Sequence, residues 1–112
     1  MSPEAVIQRR LDAYNARDIG GFLALYSERI RVFRPPNVEP VIVGKAAFGD
    51  FYASKRFNKE SLHAELLNRI VLGNKVVDHE RISGVRDQPY EVLIVYEIVN
   101  DLIQCTWFFV AD

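Results

Sequence analysis

The first half of the chain shows apolar residues at helical spacing. Ser2 suits a helix N-cap, Pro3 the first helical position, and Glu4 the positive end of the helix dipole. Ile7, Leu11 and Tyr14 then recur at intervals of three or four residues. This pattern predicts a first helix that begins at Pro3. Asp18 can cap a second, short helix, although Gly20 and Gly21 weaken it.

The pattern then changes to strands and one more helix. Short strands are predicted at 29–34 and 41–43, and a third helix follows with Phe48, Phe51 and Tyr52 on one side. Alternation of apolar and polar residues predicts four longer strands near 62–72, 75–84, 90–99 and 102–110. Helices first and an antiparallel meander last predict an α+β domain, with the helices packed on one face of a curved sheet.

Two tight turns predict which residues of the meander stand opposite each other. If Gly73-Asn74 is a two-residue hairpin loop, Leu72 pairs with Lys75. The next pairs on the same side of the sheet are then Arg69 with Asp78, Leu67 with Glu80, and Glu65 with Ile82. Asp78 opposite Arg69 is typical of a structural ion pair. Glu80 opposite a leucine is less ordinary, because desolvation would raise the pKa of its carboxyl group.

The second hairpin, with Asn100-Asp101 as its loop, predicts one strongly apolar face. Its pairs are Ile94 with Trp107, Tyr96 with Cys105, and Val92 with Phe109. The opposite face mixes Leu93, Val95 and Phe108 with Glu91, Glu97 and Thr106. That mixture is too apolar for open solvent, so it predicts a homodimer packed through this face. The loop from 84 to 89 is too long to fix the register between the two hairpins.

Composition narrows the class of protein. A length of 112 residues is typical of one domain, so we expect a single domain over 1–112. The net charge is −1 and no basic stripe is present, so we expect no nucleic acid partner. Cys105 is the only cysteine, which excludes an internal disulfide and a cysteine-based zinc site. Neither a signal peptide nor a membrane-spanning apolar run is present, so we expect a cytoplasmic protein.

The stretch VIQRRLDAYNARDIGGFLALYSERIRVF, followed by a glycine, an aromatic helix and the meander, resembles the nuclear transport factor 2-like superfamily. Within it, the chain is most similar to the ketosteroid-isomerase and SnoaL-like branches. The resemblance implies a cone, in which a strongly bent, mostly antiparallel sheet wraps around three N-terminal helices and encloses an apolar pocket. The pocket residues it implies are Arg10, Tyr14, Phe33, Tyr52, His63, Glu65, Asp78, Glu80, Tyr96, Cys105, Trp107 and Phe109.

The same resemblance argues against steroid isomerisation. Ketosteroid isomerases use a tyrosine on the first helix, an aspartate after the first strand, and a protonated aspartic acid in the later sheet. The matching positions here hold Arg10, Arg34 and Ile94. We therefore expect the fold without that catalytic set.

The leading hypothesis is a small-molecule-binding protein for an apolar ligand with polar handles. If it is an enzyme, we expect cofactor-independent acid–base catalysis by Glu80 or Asp78, with His63 as partner and Tyr14 or Tyr96 donating to an oxyanion. The spacing of His63, Glu65 and Glu80 matches no standard metal site, so no metal is expected. The alternative is a non-catalytic dimerising interaction module, which a well-filled cavity would favour.

Overall fold

The computed structural model describes residues 1–111 and contains three helices and one six-stranded sheet. The helices are α1 (Pro3–Asn15), α2 (Ile19–Leu23) and α3 (Lys45–Lys55). The strands are β1 (Tyr26–Phe33), β2 (Ile42–Val43), β3 (His63–Leu72), β4 (Lys75–Ser83), β5 (Tyr90–Val99) and β6 (Leu102–Val110). No helix in this part of the chain is both long and apolar enough to cross a membrane.

Side-chain caps start the first two helices where the sequence predicts them. The Ser2 hydroxyl accepts a hydrogen bond from the backbone N–H of Ala5 at 3.1 Å. The Asp18 carboxylate accepts one from the backbone N–H of Gly21 at 3.0 Å. Each cap satisfies an N–H group that the first turn of a helix leaves unpaired.

The strands lie in the order β2-β1-β6-β5-β4-β3, and every neighbouring pair is antiparallel except β1 with β6. Both predicted turns are present. Gly73 has a φ of 58°, while Asn100 and Asp101 have φ values of 52° and 64°, as two-residue hairpin loops require. These turns pair Leu72 with Lys75 and Val99 with Leu102, as predicted.

Further from the turns, two β-bulges change the predicted register. In β3 the extra residue is Leu67, because Leu66 pairs with Glu80 and Asn68 with His79. In β6 the extra residue is Gln104, because Ile103 pairs with Ile98 and Cys105 with Glu97. A bulge places one unpaired residue in a strand, so every side chain beyond it points to the opposite face from the one predicted.

The helices pack on one face of the sheet, here called the inner face, which carries Ile82, Val92, Ile94 and Tyr96. The inner-face side chains form one buried core with Ile7 and Leu11 of α1, Phe22 of α2 and Phe48 of α3. The opposite, outer face is covered by none of the three described helices and stays partly exposed, with Leu93 and Phe109 among its exposed apolar side chains. The predicted α+β class, with three N-terminal helices on a mostly antiparallel sheet, is confirmed.

Candidate functional site

A pocket of about 80 Å³ lies between α1, α3 and the inner face of the sheet. That volume holds several water molecules or one end of a small organic molecule. The polar and tyrosine side chains that line it are Arg10, Tyr14, Arg34, Tyr52, Arg56, Glu80, Arg86 and Tyr90. Its apolar wall consists of Phe51, Ile82, Val92, Ile94, Phe108 and Val110.

Arg10 sits at the base of this pocket in an aromatic environment. Its side chain is 2% exposed, and its Nε donates a hydrogen bond to the Tyr26 hydroxyl at 2.8 Å. The guanidinium carbon lies 5.4 Å, 5.3 Å and 5.1 Å from the ring centroids of Tyr14, Phe22 and Tyr96. These are cation–π distances, so the rings replace part of the hydration that Arg10 loses on burial.

Glu80 faces Arg10 across a gap. It projects from β4, is 1% exposed, and its Oε2 lies 3.9 Å from Arg10 Nη1. That distance is too long for a hydrogen bond. Neither atom has another hydrogen-bond partner among the described residues. A buried donor and a buried acceptor left unpaired next to each other are rare in folded proteins, and they form a place where a polar atom of a ligand can bind both.

The pKa values of Glu80 and Arg10 are both raised, and for each group the effect of burial is opposed by neighbouring side chains. Burial raises the pKa of Glu80 above its ordinary value, Arg10 and Arg69 work against that rise, and Asp78 adds to it. For Arg10, burial alone would lower the pKa, but Tyr26, Tyr96 and Glu80 raise it well above the ordinary value. Arg10 therefore stays charged, while the raised pKa of Glu80 means that its carboxyl group keeps its proton to a higher pH than an exposed glutamate does.

Asp78 lies two residues from Glu80 on the same face but is fully engaged. Arg69 Nε donates to Oδ1 at 2.7 Å and Arg69 Nη2 donates to Oδ2 at 2.9 Å. Arg69 Nη1 also donates to Gln8 Oε1 of α1 at 2.9 Å. The predicted pairing of Asp78 with Arg69 is confirmed, and it leaves Asp78 with no oxygen free of a strong donor.

Several other predicted residues also lie at or beside the pocket. Arg10, Tyr14 and Tyr52 line it, as the resemblance implies. Tyr96 is fully buried beneath Arg10, and its hydroxyl has no hydrogen-bond partner within residues 1–111. Burial raises the pKa values of Tyr14 and Tyr96, so both hydroxyls are neutral donors at physiological pH.

The structure places six predicted pocket residues on the outer face instead. The Leu67 bulge turns His63 and Glu65 outward, so His63 pairs with Ser83 and cannot serve as the partner of Glu80. The Gln104 bulge does the same to Cys105, Trp107 and Phe109 in β6. Phe33 follows them, because β1 pairs it with Trp107 and the two rings stack at a centroid distance of 5.6 Å. The prediction that these six line the pocket is wrong.

Sequence reasoning missed Arg56, Arg86 and Phe108 as pocket residues, and it treated Arg34 only as a lost aspartate. Arg34 follows β1, Arg56 follows α3, and Arg86 lies in the loop between β4 and β5. The C-terminal ends of β1, β4 and β6 lie at the same end of the sheet. For β1 this holds only because it runs parallel to β6. Arginines that immediately follow an element are the available indication, but they become informative only once that topology is known.

Within residues 1–111, no cluster of three or more His, Cys, Asp or Glu side chains is arranged to hold a metal ion. Burial raises the pKa of Cys105. The ionisable side chains that line the pocket are those of Glu80, the four arginines and the three tyrosines named above.

With helices on the inner face of a six-stranded sheet, the chain has the same fold as solved proteins described as nuclear transport factor 2-like. Three solved structures illustrate the similarity. A proposed ketosteroid isomerase from Kribbella flavida is 19% identical with a TM-score of 0.83, over 98% of this chain and 78% of that one. A SnoaL-like protein of unknown function from Burkholderia thailandensis is 18% identical with a TM-score of 0.82, over 98% and 94%. A proposed polyketide cyclase from Sinorhizobium meliloti is 16% identical with a TM-score of 0.79, over 94% of both chains.

The family follows from the sequence itself. Residues 7–105 match the model of the SnoaL-like domain, so the chain belongs to the SnoaL-like domain family. No curated protein matches the chain in sequence.

Proposed function

We propose that this protein binds a small carbonyl compound in the pocket and moves a proton on it, with Glu80 as the acid–base group. The observation that carries the proposal is the 3.9 Å gap between Arg10 Nη1 and Glu80 Oε2, two buried atoms without hydrogen-bond partners among the described residues. A carbonyl oxygen can accept from Arg10, and the neighbouring C–H group then lies next to Glu80.

The reaction needs no co-reactant. The Glu80 carboxylate takes a proton from the carbon next to the carbonyl, and the electron pair of that C–H bond forms an enolate. Arg10 Nη1–H donates to the enolate oxygen, where the negative charge develops. In a compound with a carbon–carbon double bond next to that carbon, the enolate extends over the double bond, and protonated Glu80 returns the proton to its far end, which yields the conjugated isomer. In a compound without the double bond, the proton returns to the same carbon, and the reaction is proton exchange. A raised pKa suits Glu80 to this exchange, since an acid–base group works best when its pKa lies near the working pH.

The surroundings of the pair favour this chemistry. Ile82, Val92 and Ile94 line the pocket beside Glu80 and keep the local dielectric low, which strengthens the contact between Arg10 and an enolate. Two proteins that share the fold are a proposed ketosteroid isomerase and a proposed polyketide cyclase, so isomerase- or cyclase-type chemistry is compatible with this architecture. The open pocket with an unpaired carboxyl group favours a ligand-binding role over a non-catalytic interaction module.

A second part of the proposal is a homodimer through the outer face. A row of apolar side chains, each paired with the next on the neighbouring strand, crosses that face from Phe33 through Trp107, Val95 and Val77 to Ile70. This row replaces the set expected from sequence, since Phe108 and Thr106 lie on the inner face. An apolar row across five strands without a covering helix favours a second copy of the same chain as its partner.

The test of the acid–base role uses a small β,γ-unsaturated ketone, cyclohex-3-en-1-one, whose conversion to the conjugated enone is followed by ultraviolet absorbance. The wild-type protein should accelerate the conversion, and Glu80→Gln should lose about 100-fold or more of that rate. Glu65→Gln is the matched control, because Glu65 is an exposed outer-face carboxylate. A 5-ene-3-keto steroid, far larger than the pocket, should not turn over.

The proposal fails if Glu80→Gln and the wild type behave alike. It also fails if the Glu80 carboxyl group, followed by ¹³C NMR, titrates like an exposed glutamate and does not respond to the ketone.

A further inference from the structure

We infer that the ligand is a keto acid, whose carboxylate is held by Arg34, Arg56 and Arg86 at the pocket mouth while its carbonyl reaches Arg10 and Glu80. The carbonyl end of this inference rests on the proposed function. The carboxylate end rests on separate observations at the three arginines.

The three arginines converge on the pocket from three different elements. Arg34 follows β1, Arg56 follows α3, and Arg86 lies between β4 and β5. Side chains that come from such distant parts of the chain and line one cavity of about 80 Å³ form a shared positive site.

Each of these guanidinium groups is seated over an aromatic ring. The guanidinium carbon of Arg34 lies 5.4 Å from the ring centroid of Phe108. The corresponding distances are 5.0 Å from Arg56 to Phe51 and 4.0 Å from Arg86 to Tyr90. The three rings line the same pocket. Cation–π contacts restrict the positions of the arginines, so less conformational entropy is lost when an anion binds.

None of the three arginines forms an ion pair within residues 1–111. By contrast, Arg69 and Arg81 pair with Asp78 and Glu65. Among the residues of 1–111 that line the pocket, Glu80 is the only acidic one, against four arginines, so this described lining carries a charge of +3 when Glu80 is ionised. The whole chain has a net charge of −1. Like charges gathered around one small cavity repel each other, and a bound anion removes that repulsion.

Burial orders the pocket from base to mouth. Arg10 and Glu80 are 2% and 1% exposed, Arg34 and Arg56 are half-buried, and Arg86 is exposed. Apolar side chains such as Phe51 and Phe108 line the same pocket. The matching ligand has a carbonyl at one end, a short apolar segment, and a carboxylate at the other end. A carboxylate suits guanidinium groups because its two oxygens can accept paired N–H donors.

The test compares 4-oxopentanoate with its methyl ester, which has the same carbonyl and carbon chain but no charge. Calorimetric titration of the wild-type protein should give a Kd for the acid about tenfold or more below that for the ester, and the difference should shrink as salt is added. Arg56→Gln and Arg86→Gln should each weaken binding of the acid by about tenfold and leave binding of the ester unchanged. Arg29→Gln is the matched control, because Arg29 is exposed on β1 outside the pocket.

Three results would overturn the inference: equal affinity for acid and ester, no saturation by the acid at millimolar concentration, or equally tight binding of inorganic phosphate. Deuterium exchange at the carbons beside the ketone separates this inference from the proposed function. If the acid binds preferentially but the Glu80→Gln variant catalyses deuterium exchange as fast as the wild type, the acid–base role of Glu80 fails and the carboxylate site stands. If the ester exchanges as readily and binds as tightly as the acid, the carboxylate site fails and the acid–base role of Glu80 stands.

Discussion

Arg69 holds both oxygens of Asp78, through parallel hydrogen bonds of 2.7 Å and 2.9 Å, at a position where the Asp78 side chain is fully buried. The same strand carries Glu80 two residues further on, and no described residue donates a hydrogen bond to the Glu80 oxygen that faces Arg10. Two carboxyl groups on one face of β4 therefore have different roles. Asp78 joins β3 to β4, while the proposed function assigns Glu80 to the ligand.

Asp78→Asn should destabilise the fold. Asparagine keeps the size but removes the charge, and Arg69 is then left buried without its counter-ion. We expect a loss of about 3 kcal/mol in the free energy of unfolding, measured by urea denaturation. Glu65→Gln is the control on the same hairpin, since it breaks an exposed ion pair with Arg81 at 3.1 Å and should cost at most about 0.5 kcal/mol. Similar losses for both variants would contradict the assigned role of Asp78.

Glu80→Gln should change how stability depends on pH. Because the native pKa of Glu80 lies above its ordinary value of 4.5, native Glu80 holds a proton that the unfolded chain has released between those two values. Wild-type stability therefore falls as pH rises through that window. The variant has no such titration, so its stability relative to the wild type should increase with pH and then level off above the native pKa. Unfolding measured from pH 4 upward tests this, and a relative stability that decreases with pH would refute it.

Arg10→Met should raise the pKa of Glu80 further, because Arg10 is the main group that lowers it. The matched control is Arg9→Met, which removes an exposed arginine from the adjacent position of α1. ¹³C NMR of the Glu80 carboxyl group measures both. An unchanged or lower pKa in Arg10→Met would show that the two side chains do not interact in solution.

Val95→Lys should dissociate the proposed dimer. Val95 lies at the centre of the apolar row on the outer face, between Trp107 and Val77, and a charge there would be buried against the partner without a counter-ion. Sedimentation equilibrium at micromolar concentration should show a dimer for the wild type and a monomer for the variant. Val38→Lys, at a site 86% exposed and outside the sheet, should remain dimeric. A monomeric wild type would end the proposal.

The sequence predicted the fold well because turns and helix caps are local. The caps at Ser2 and Asp18 and the turn at Gly73 depend on neighbouring residues alone. The strand β4 contains no bulge, so the prediction that Asp78 and Glu80 face the same side was right. Arg10 and Tyr14 were placed correctly because helical spacing puts both on the buried side of α1.

The predicted site was wrong beyond each β-bulge, where one extra residue reverses which side chains face the helices. Nothing in the sequence around Leu67 or Gln104 indicates a bulge, since neither position holds a glycine or proline. Counting outward from the turns therefore reversed His63 and Glu65 in β3, and Trp107 and Phe109 in β6. The partner of Glu80 was missed for another reason. Arg10 reaches it from α1, and a helix-to-sheet contact has no fixed register that counting can follow.

The Gln104 bulge decides which face of the sheet each side chain in the far half of β6 occupies. If Gln104 were paired like its neighbours, Tyr96 would face Cys105 and Ile94 would face Trp107, so that Trp107 and Phe109 would point to the helices and Thr106 and Phe108 would point outward. Deleting Gln104 would have no such effect, because it removes only the unpaired residue and leaves every pair beyond it in place. The wall of the pocket and the outer surface of the sheet thus owe their side chains to one residue that stands outside the ladder, and a β6 of the same sequence without the bulge would exchange the two.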